Sequence, residues 1–366
     1  MTVHEIISAI ESFAPLVYQE SYDNSGLQIG ERTMKVSGVL LSLDITEEVL
    51  GEAIQRGCNL IIAHHPIIFS GLKQITGKNY VERIVRQAIK KEIAIYAAHT
   101  NLDNVIGGVN AIFAERLGLL QTSILNPQTN NLKKLYTYVP HQAADTVRNA
   151  LFAAGAGSIG RYHECSFNTD GLGTFQPNID AKPTIGTAGG KRETVSEIKI
   201  EVLINQHQEQ AILKALFAHH PYEEVAYEII SLQNQNQEIG AGMIGTLKHP
   251  VSEIDFLSFV KQQMKTDCIR HTSLLGKPIQ RVAICGGSGS FLLKDAIKAG
   301  ADIFITGDFK YHQFFDADKQ IIIADIGHYE SEQFTVELLA RILKEKIPNF
   351  APLLSNLSTN PVKYFC

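Results

Sequence analysis

The chain has 366 residues, 45% hydrophobic and 19% charged, with Lys+Arg 33 against Asp+Glu 38. This is an ordinary globular composition, long enough for two or three domains, and it excludes a disordered, fibrous or coiled-coil chain. A formal charge of −5 without a basic run gives no strong nucleic-acid signal and no attraction to an anionic membrane.

From the N-terminus, MTVHEIISAIESFAP carries His4, Glu5 and Glu11 and no basic segment, so it does not read as a signal peptide. Residues 37–120 alternate short apolar runs with helical periods. VLLSLD (39–44) reads as a buried strand. Thr46 then N-caps a helix whose apolar face is Val49, Leu50, Ala53 and Ile54, and Gly57 ends it. NLIIAHHP (59–66) is the next strand, 80–92 a helix, and IAIYAAHTNLD (93–103) a third strand. This order predicts βαβ units and a largely parallel sheet.

Residues 127–246 differ in texture. LYTYVP, the helix DTVRNALFAAG and a strand near YHECSF form one βαβ pattern; EIKIEVLI, QAILKALFAHH and VAYEIISL form another. Two such units predict a ferredoxin-like α+β sandwich, with 168–193 as a long Gly/Pro/Thr/Asn-rich loop. Residues 281–345 return to the first grammar: RVAICGGSG (281–289) as a strand, FLLKDAIKAG (291–300) as a helix, ADIFITGD (301–308) and QIIIADIGH (320–328) as strands. At a constant offset, Ala53-Ile54 falls on Ala296-Ile297, Gly57 on Gly300, Ile62 on Ile305 and His65 on Asp308. The predicted fold class is therefore α/β. Two related halves, residues 1–126 and 247–366, form one domain interrupted by an insert at 127–246. No apolar run of about 18 residues occurs, so no helix is expected to span a membrane. A soluble, cytoplasmic protein is expected.

The chemistry-bearing residues gather at predicted strand ends, where open α/β sheets bind ligands. His64 and His65 end one strand; His99, Asn101 and Asp103 end the next; His328 and Glu332 follow the last, spaced i,i+4. The five cysteines, at 58, 165, 268, 285 and 366, are scattered and never spaced CxxC, which argues against a disulfide framework or a thiolate site. His64, His65, Asp103, His328 and Glu332 offer an N/O donor set that suits Zn, Fe, Mn or Co. Five such ligands exceed the need of one tetrahedral ion and match two divalent ions bridged by a carboxylate, a pairing that acidifies water and clamps an oxygen-rich transition state. His99 and Asp325 end neighbouring strands and read as supports of the ligands, with Asp44 and Asp308 as similar cases; His99 is also an acid/base candidate. His312, in GDFKYH, is a further acid/base candidate. Gly286, Gly287, Ser288 and Gly289 form a strand-to-helix loop whose N–H groups offer an anion site, although not a Walker sequence. His219-His220-Pro221 repeats the HHP tripeptide without nearby acidic strand ends, and is expected to be structural.

Taken together, HHP (64–66), HTNLD (99–103), GDFKYH (307–312) and GHYESE (327–332) resemble the NIF-three-like family, whose members are also labelled GTP cyclohydrolase 1 type 2 homologues. YDNSGLQIG (22–30) is similar to its N-terminal motif, with Tyr22 where the family commonly has Trp. GRYHECSF (160–167) and HHPYEEVAYEI (219–229) resemble the PII-like insert of the long bacterial form. The resemblance implies a dinuclear site at His64, His65, Asp103, His328 and Glu332. It also implies a ring-shaped homohexamer with the sites facing an internal cavity. The label implies hydrolytic opening of the guanine imidazole ring of GTP with release of formate. No guanine-reading motif supports that substrate independently. A phosphoesterase or nuclease, and a non-enzymatic metal-binding adaptor with a ligand-sensing insert, are the alternatives.

Overall fold

The structure, a computed structural model, describes residues 1–365. It divides into two compact units, one made of Met1–Pro127 with the chain from Glu238 onward, the other of Gln128–Gln237.

Helix α1 (Val3–Phe13) starts at a reciprocal cap: Thr2 Oγ1 accepts from the Glu5 N–H, and the Glu5 carboxylate accepts from the Thr2 N–H. Its Val3, Ile6, Ile7 and Ile10 form the buried stripe. Strand β1 (Gly26–Ile29) is followed by β2 (Val39–Ser42), α2 (Glu47–Gln55), β3 (Leu60–Ala63), α3 (Tyr80–Lys90) and β4 (Ala94–Ala97). Strands β2, β3 and β4 are parallel, with Leu40 beside Ile61 and Ile61 beside Ile95; β1 pairs antiparallel with β4. Every residue of β2, β3 and β4 is buried, as a sheet covered on both faces requires. Thr46 caps α2 as expected, accepting from the Val49 N–H, and Gly57 takes a positive φ behind it; of the expected apolar face, Ile54 is the exposed member.

The expected strand over 93–103 stops at Ala97. HTNLD instead turns into the short helix α4 (Thr100–Asp103), because the Asn101 side chain takes the His99 N–H and Asp23 takes the Thr100 N–H. Helix α5 (Val109–Arg116) and β5 (Leu120–Gln128) follow.

The Gln128–Gln237 unit has a β-α-β-β-α-β succession: β6 (Leu132–Pro140), α6 (Ala144–Ala153), β7 (Ser166–Phe175), β8 (Glu193–Asn205), α7 (Glu209–His219) and β9 (Tyr227–Leu232). Its antiparallel sheet has the order β7-β8-β6-β9, and α6 and α7 bury Val147, Leu151, Ile212 and Leu216 against Leu135, Ile200 and Val202. Residues 168–175, expected in a loop, belong to β7, whose pairing with β8 runs from Ser166↔Val202 to Phe175↔Glu193. The alternation there was hidden by Gly171 and Gly173.

Returning to the first unit, the chain forms β10 (Asn236–Val251), α8 (Glu253–Gln263), β11 (Arg270–His271), β12 (Ile279–Ser288), α9 (Leu293–Lys298), β13 (Ile303–Gly307), β14 (Ile322–Asp325), α10 (His328–Glu332), α11 (Thr335–Lys346) and β15 (Leu353–Leu354). Residues 238–246, expected in the insert, lie in this unit because β10 pairs with β12 from Met243↔Ile284 to Thr246↔Arg281. The unit holds two sheets, β1-β4-β3-β2-β15 with four adjacent parallel strands (β4, β3, β2 and β15) and β11-β14-β13-β12-β10-β5 with three (β14, β13 and β12).

Alternate residues of one strand serve different cores, as the two-residue strand period dictates. Leu60 and Ile62 face a core shared with Ile303 and Ile305 of the other sheet and with α1, α5, α8 and α11. Ile61 and Ala63 face α2 and α3, while Phe304 and Ile323 face α9. Parallel strands from both sheets therefore bring their carboxyl ends to one cavity of about 1150 Å³. No helix among the described residues is long and apolar enough to cross a membrane.

Candidate metal centre

His64 and His65 leave the carboxyl end of β3, His99 that of β4, and Asp103 ends α4. From the other sheet, Asp308 follows β13, while His328 and Glu332 occupy successive turns of one face of α10. The structure brings His64, His65, Asp103, His328 and Glu332 together. Their donor atoms form two triads, His65–His328–Glu332 and His64–Asp103–Glu332, with Glu332 common to both.

In the first triad, Glu332 Oε2 lies 3.0 Å from His65 Nε2 and 3.1 Å from His328 Nε2, and the two Nε2 atoms are 3.2 Å apart. In the second, His64 Nε2 lies 3.6 Å from Asp103 Oδ1 and 3.7 Å from Glu332 Oε1. Ligands about 2.0–2.1 Å from a tetrahedral ion stand roughly 3.3–3.4 Å from each other, so both spacings are of the right size.

Each ring is oriented by its other nitrogen. His64 Nδ1–H donates to the Ala98 carbonyl at 2.7 Å, His65 pairs through Nδ1 with Asp44 at 2.7 Å, and His328 through Nδ1 with Asp308 at 2.6 Å. That arrangement presents every Nε2 inward and is the usual support for a metal-binding imidazole. His64 Nε2 and Asp103 Oδ1 are buried and have no hydrogen-bond partner. The two atoms face each other across a 3.6 Å gap, and neither meets a hydrogen-bond partner elsewhere. A cation between them removes both deficits, so the residues present fit a metal.

The electrostatics agree. Burial opposes charge on His65, but Asp44 and Glu332 outweigh it and raise the ring to about 10; His328, against the same opposition, is raised by Glu332 and Asp308 to about 11. Burial, reinforced by the Glu332 charge, pushes Asp103 up to about 8. Burial likewise works against the Glu332 charge, yet His328 and His64 hold that carboxyl well below its usual range. Donors this close together bind protons strongly when nothing else is present, and the same field favours a divalent cation.

His99 adjoins the cluster, its ring 5.3 Å from that of His64 and 5.5 Å from that of His65. Its Nδ1 is held at 2.7 Å by Asp23, which also takes the Thr100 N–H and hydroxyl. Asp23 was not singled out from the sequence; its position in the 22–30 segment beside the other motifs was the available signal. A second omission is the 355–364 tail, where Thr359 donates to Asp44 and Asn360 to Glu330 at 2.9 Å.

Three further groups named from the sequence lie outside the triads. His312 sits exposed on a 3₁₀ segment over Tyr311–Ala317 and does not line the cavity. The Gly286–Gly289 loop is no anion cradle. The Gly286, Gly287 and Gly289 N–H groups donate to Asn110, Ser331 and Thr306 side chains at 2.9–3.0 Å, while Ser288 lies in β12 opposite Gly307. The loop is glycine-rich for clearance: a Cβ on Gly287 would fall 2.4 Å from Glu332 Oε1. Asp325 does not touch the histidines. It accepts from the Phe309 and Gly327 N–H groups and pairs with Arg270, fixing the loops that carry Asp308 and His328. The other HHP tripeptide is structural, as expected: His219 Nδ1 bonds the Ala215 carbonyl and His220 Nε2 the Tyr138 carbonyl.

The fold and cluster define an α/β protein with a histidine–carboxylate site able to hold metal. The Duf34/NIF3 (NGG1p interacting factor 3) family model matches residues 1–361, and the chain belongs to that family. It is 38% identical over 365 residues to the GTP cyclohydrolase 1 type 2 homolog of Bacillus subtilis, covering 98% of each chain, and 39% identical to that of Halalkalibacterium halodurans with the same coverage. Among solved structures, a Bacillus cereus protein related to NIF3 superposes with a TM-score of 0.89 at 40% identity, covering 100% of this chain and 99% of that one. A Staphylococcus aureus protein gives 0.79 at 30% identity with the same coverage.

Proposed function

We propose that the cluster is a two-metal centre and that the protein is a hydrolase acting on a ring C–N bond, the type of reaction that the relatives' name denotes. The observation that carries the reading is the pair of buried, partnerless donors, His64 Nε2 and Asp103 Oδ1, facing each other beside a carboxylate shared by two triads. His65, His328 and Glu332 Oε2 would hold one ion; His64, Asp103 and Glu332 Oε1 the other. Bound divalent ions supply Lewis-acid polarisation of the substrate and acidification of water at neutral pH.

The chain's own groups supply the rest. Asp44 and Asp308 fix the imidazole planes of His65 and His328 through Nδ1. His99, oriented by Asp23 and free of both triads' carboxylates, is the group placed to carry a proton at Nε2 to or from the leaving nitrogen. Burial of Glu332 and His64 keeps bulk water from the far side of the cluster.

Turnover by metal-reconstituted protein, followed by release of formate or loss of ring absorbance, tests the reading. His99→Gln should lower kcat by about 10²-fold or more while keeping metal content. Metal-loaded wild type that opens no heterocyclic ring in a panel of purines would sink the hydrolase reading. Retained partner or ligand binding by that inert protein would favour an adaptor.

A further inference from the structure

The cavity around the cluster has an unbalanced lining. Seven carboxylates face it, with Arg270 as the sole Lys or Arg side chain among the described residues that line it. Arg270 is committed: it pairs with Asp325 and donates to the Phe309 carbonyl at 3.0 Å. Two divalent ions would offset part of this negative charge and leave no cationic surplus for a polyphosphate. Like charges brought together in a partly enclosed site cost several kcal/mol.

The apolar part of the lining is aromatic and unusually exposed. Tyr22 is 64% exposed, Phe69 53% and Phe291 64%, and all three border the cavity. Tyr22 and Phe69 have ring centroids 6.5 Å apart, and Phe69 stands edge-on to His99 at 6.3 Å. The rings thus form a continuous wall from solvent to the histidine cluster. Exposed aromatic groups at the mouth of a concave site are surface that a ligand covers.

We infer that the substrate of this centre is a flat ring compound without phosphates, a nucleobase or nucleoside rather than a nucleotide, received on the wall of Tyr22 and Phe69. The inference rests on the two-metal reading above and names its substrate class. The triphosphate in the relatives' name is the part of that label which the lining opposes. Tyr22 and Phe69 are specificity-determining residues: they offer π-faces to any base and touch none of the cluster's ligands.

Calorimetric titration of the full chain with guanosine, adenosine and GTP tests it, with metal content assayed on the same sample. Guanosine or adenosine should bind about tenfold or more tightly than GTP. Tyr22→Ala should weaken nucleoside binding about tenfold, with Tyr22→Phe restoring it and metal content equal in all three proteins. GTP binding more tightly than guanosine would overturn the inference, as would unchanged nucleoside affinity in Tyr22→Ala or no saturable binding of either nucleoside. Binding is read without turnover, so an inert protein sinks the hydrolase reading alone. A protein that takes up no metal sinks the two-metal reading, while its more negative cavity still decides between nucleoside and nucleotide.

Discussion

Each cluster histidine uses Nδ1 for the fold and keeps Nε2 for the site, and this division makes the centre pH-sensitive in a definite direction. Burial disfavours charge on His65 and His328, but the carboxylates around them raise the rings to about 10 and about 11, above the ordinary value of 6.5. In metal-free protein the charged rings therefore stabilise the fold fully below pH 6.5, and that contribution is lost as pH rises through about 10 and 11. Metal uptake displaces the same protons, so affinity must rise with pH. Titration at about pH 6 and about pH 8.5 should give tighter binding at the higher value. Thermal melts should show metal-free protein losing stability above about pH 9 while loaded protein holds its own; tighter binding at low pH would contradict the assignment. His64, His65 and His328 were legible in the sequence because each stands just after a strand end, and Asp103 and Glu332 because each follows such an end within a short motif, HTNLD or GHYESE. Asp23 was not, because its partner His99 lies 76 positions away and only the fold joins them. The placement of His312 outside the cavity lining was not legible, since a loop histidine carries no mark of which way its segment turns.

Elements position these residues through close approaches as much as through hydrogen bonds. Helix α10 lies against β12 at Gly287, whose φ of 61° and missing side chain let Glu332 reach both triads. Gly287→Ala would add a methyl 2.4 Å from Glu332 Oε1 and strain the backbone as well. The variant should lose most of its metal affinity and about 1–3 kcal/mol of stability, read by calorimetry and denaturant melts. Retained stoichiometry in a normally folded variant would show that Glu332 does not need that approach. The glycine run at 286–289 shows why an element can be placed correctly and its purpose missed. The strand and turn followed from periodicity, but the side chains that take its N–H groups, Asn110, Thr306 and Ser331, come from three other segments. HTNLD shows the converse: apolar residues up to Ala98 predicted a strand, and side-chain caps from Asp23 and Asn101 ended it early.

At the scale of the molecule, the Gln128–Gln237 unit has its own sheet and its own core. We propose that it is an independently folding, PII-like insert, and that the outer unit carries the metal centre alone. Every proposed ligand, from His64 to Glu332, lies outside 128–237. Replacing 128–237 by a short flexible linker should leave a folded protein with unchanged metal stoichiometry. A soluble product without near-ultraviolet circular dichroism would mean that the insert supports the outer core. The α/β grammar of the outer segments was legible because buried parallel strands read as unbroken apolar runs. The insert's boundary was less so, since β10 enters the outer sheet through glycines, Gly240, Gly242 and Gly245, that resemble a loop. The proposed homohexamer is checked by light scattering of the full chain, where a mass of six chains is expected and a monomer would refute it.

The central claim is a pair of ions sharing Glu332, and metal stoichiometry tests it most directly. Elemental analysis and calorimetric titration of chelator-stripped protein with Mn²⁺ or Zn²⁺ should give two ions per chain for wild type and for His219→Ala. His328→Ala should bind one, and Glu332→Ala should bind neither tightly. A wild type that saturates at one ion or none, or Glu332→Ala that still holds two, would contradict the account.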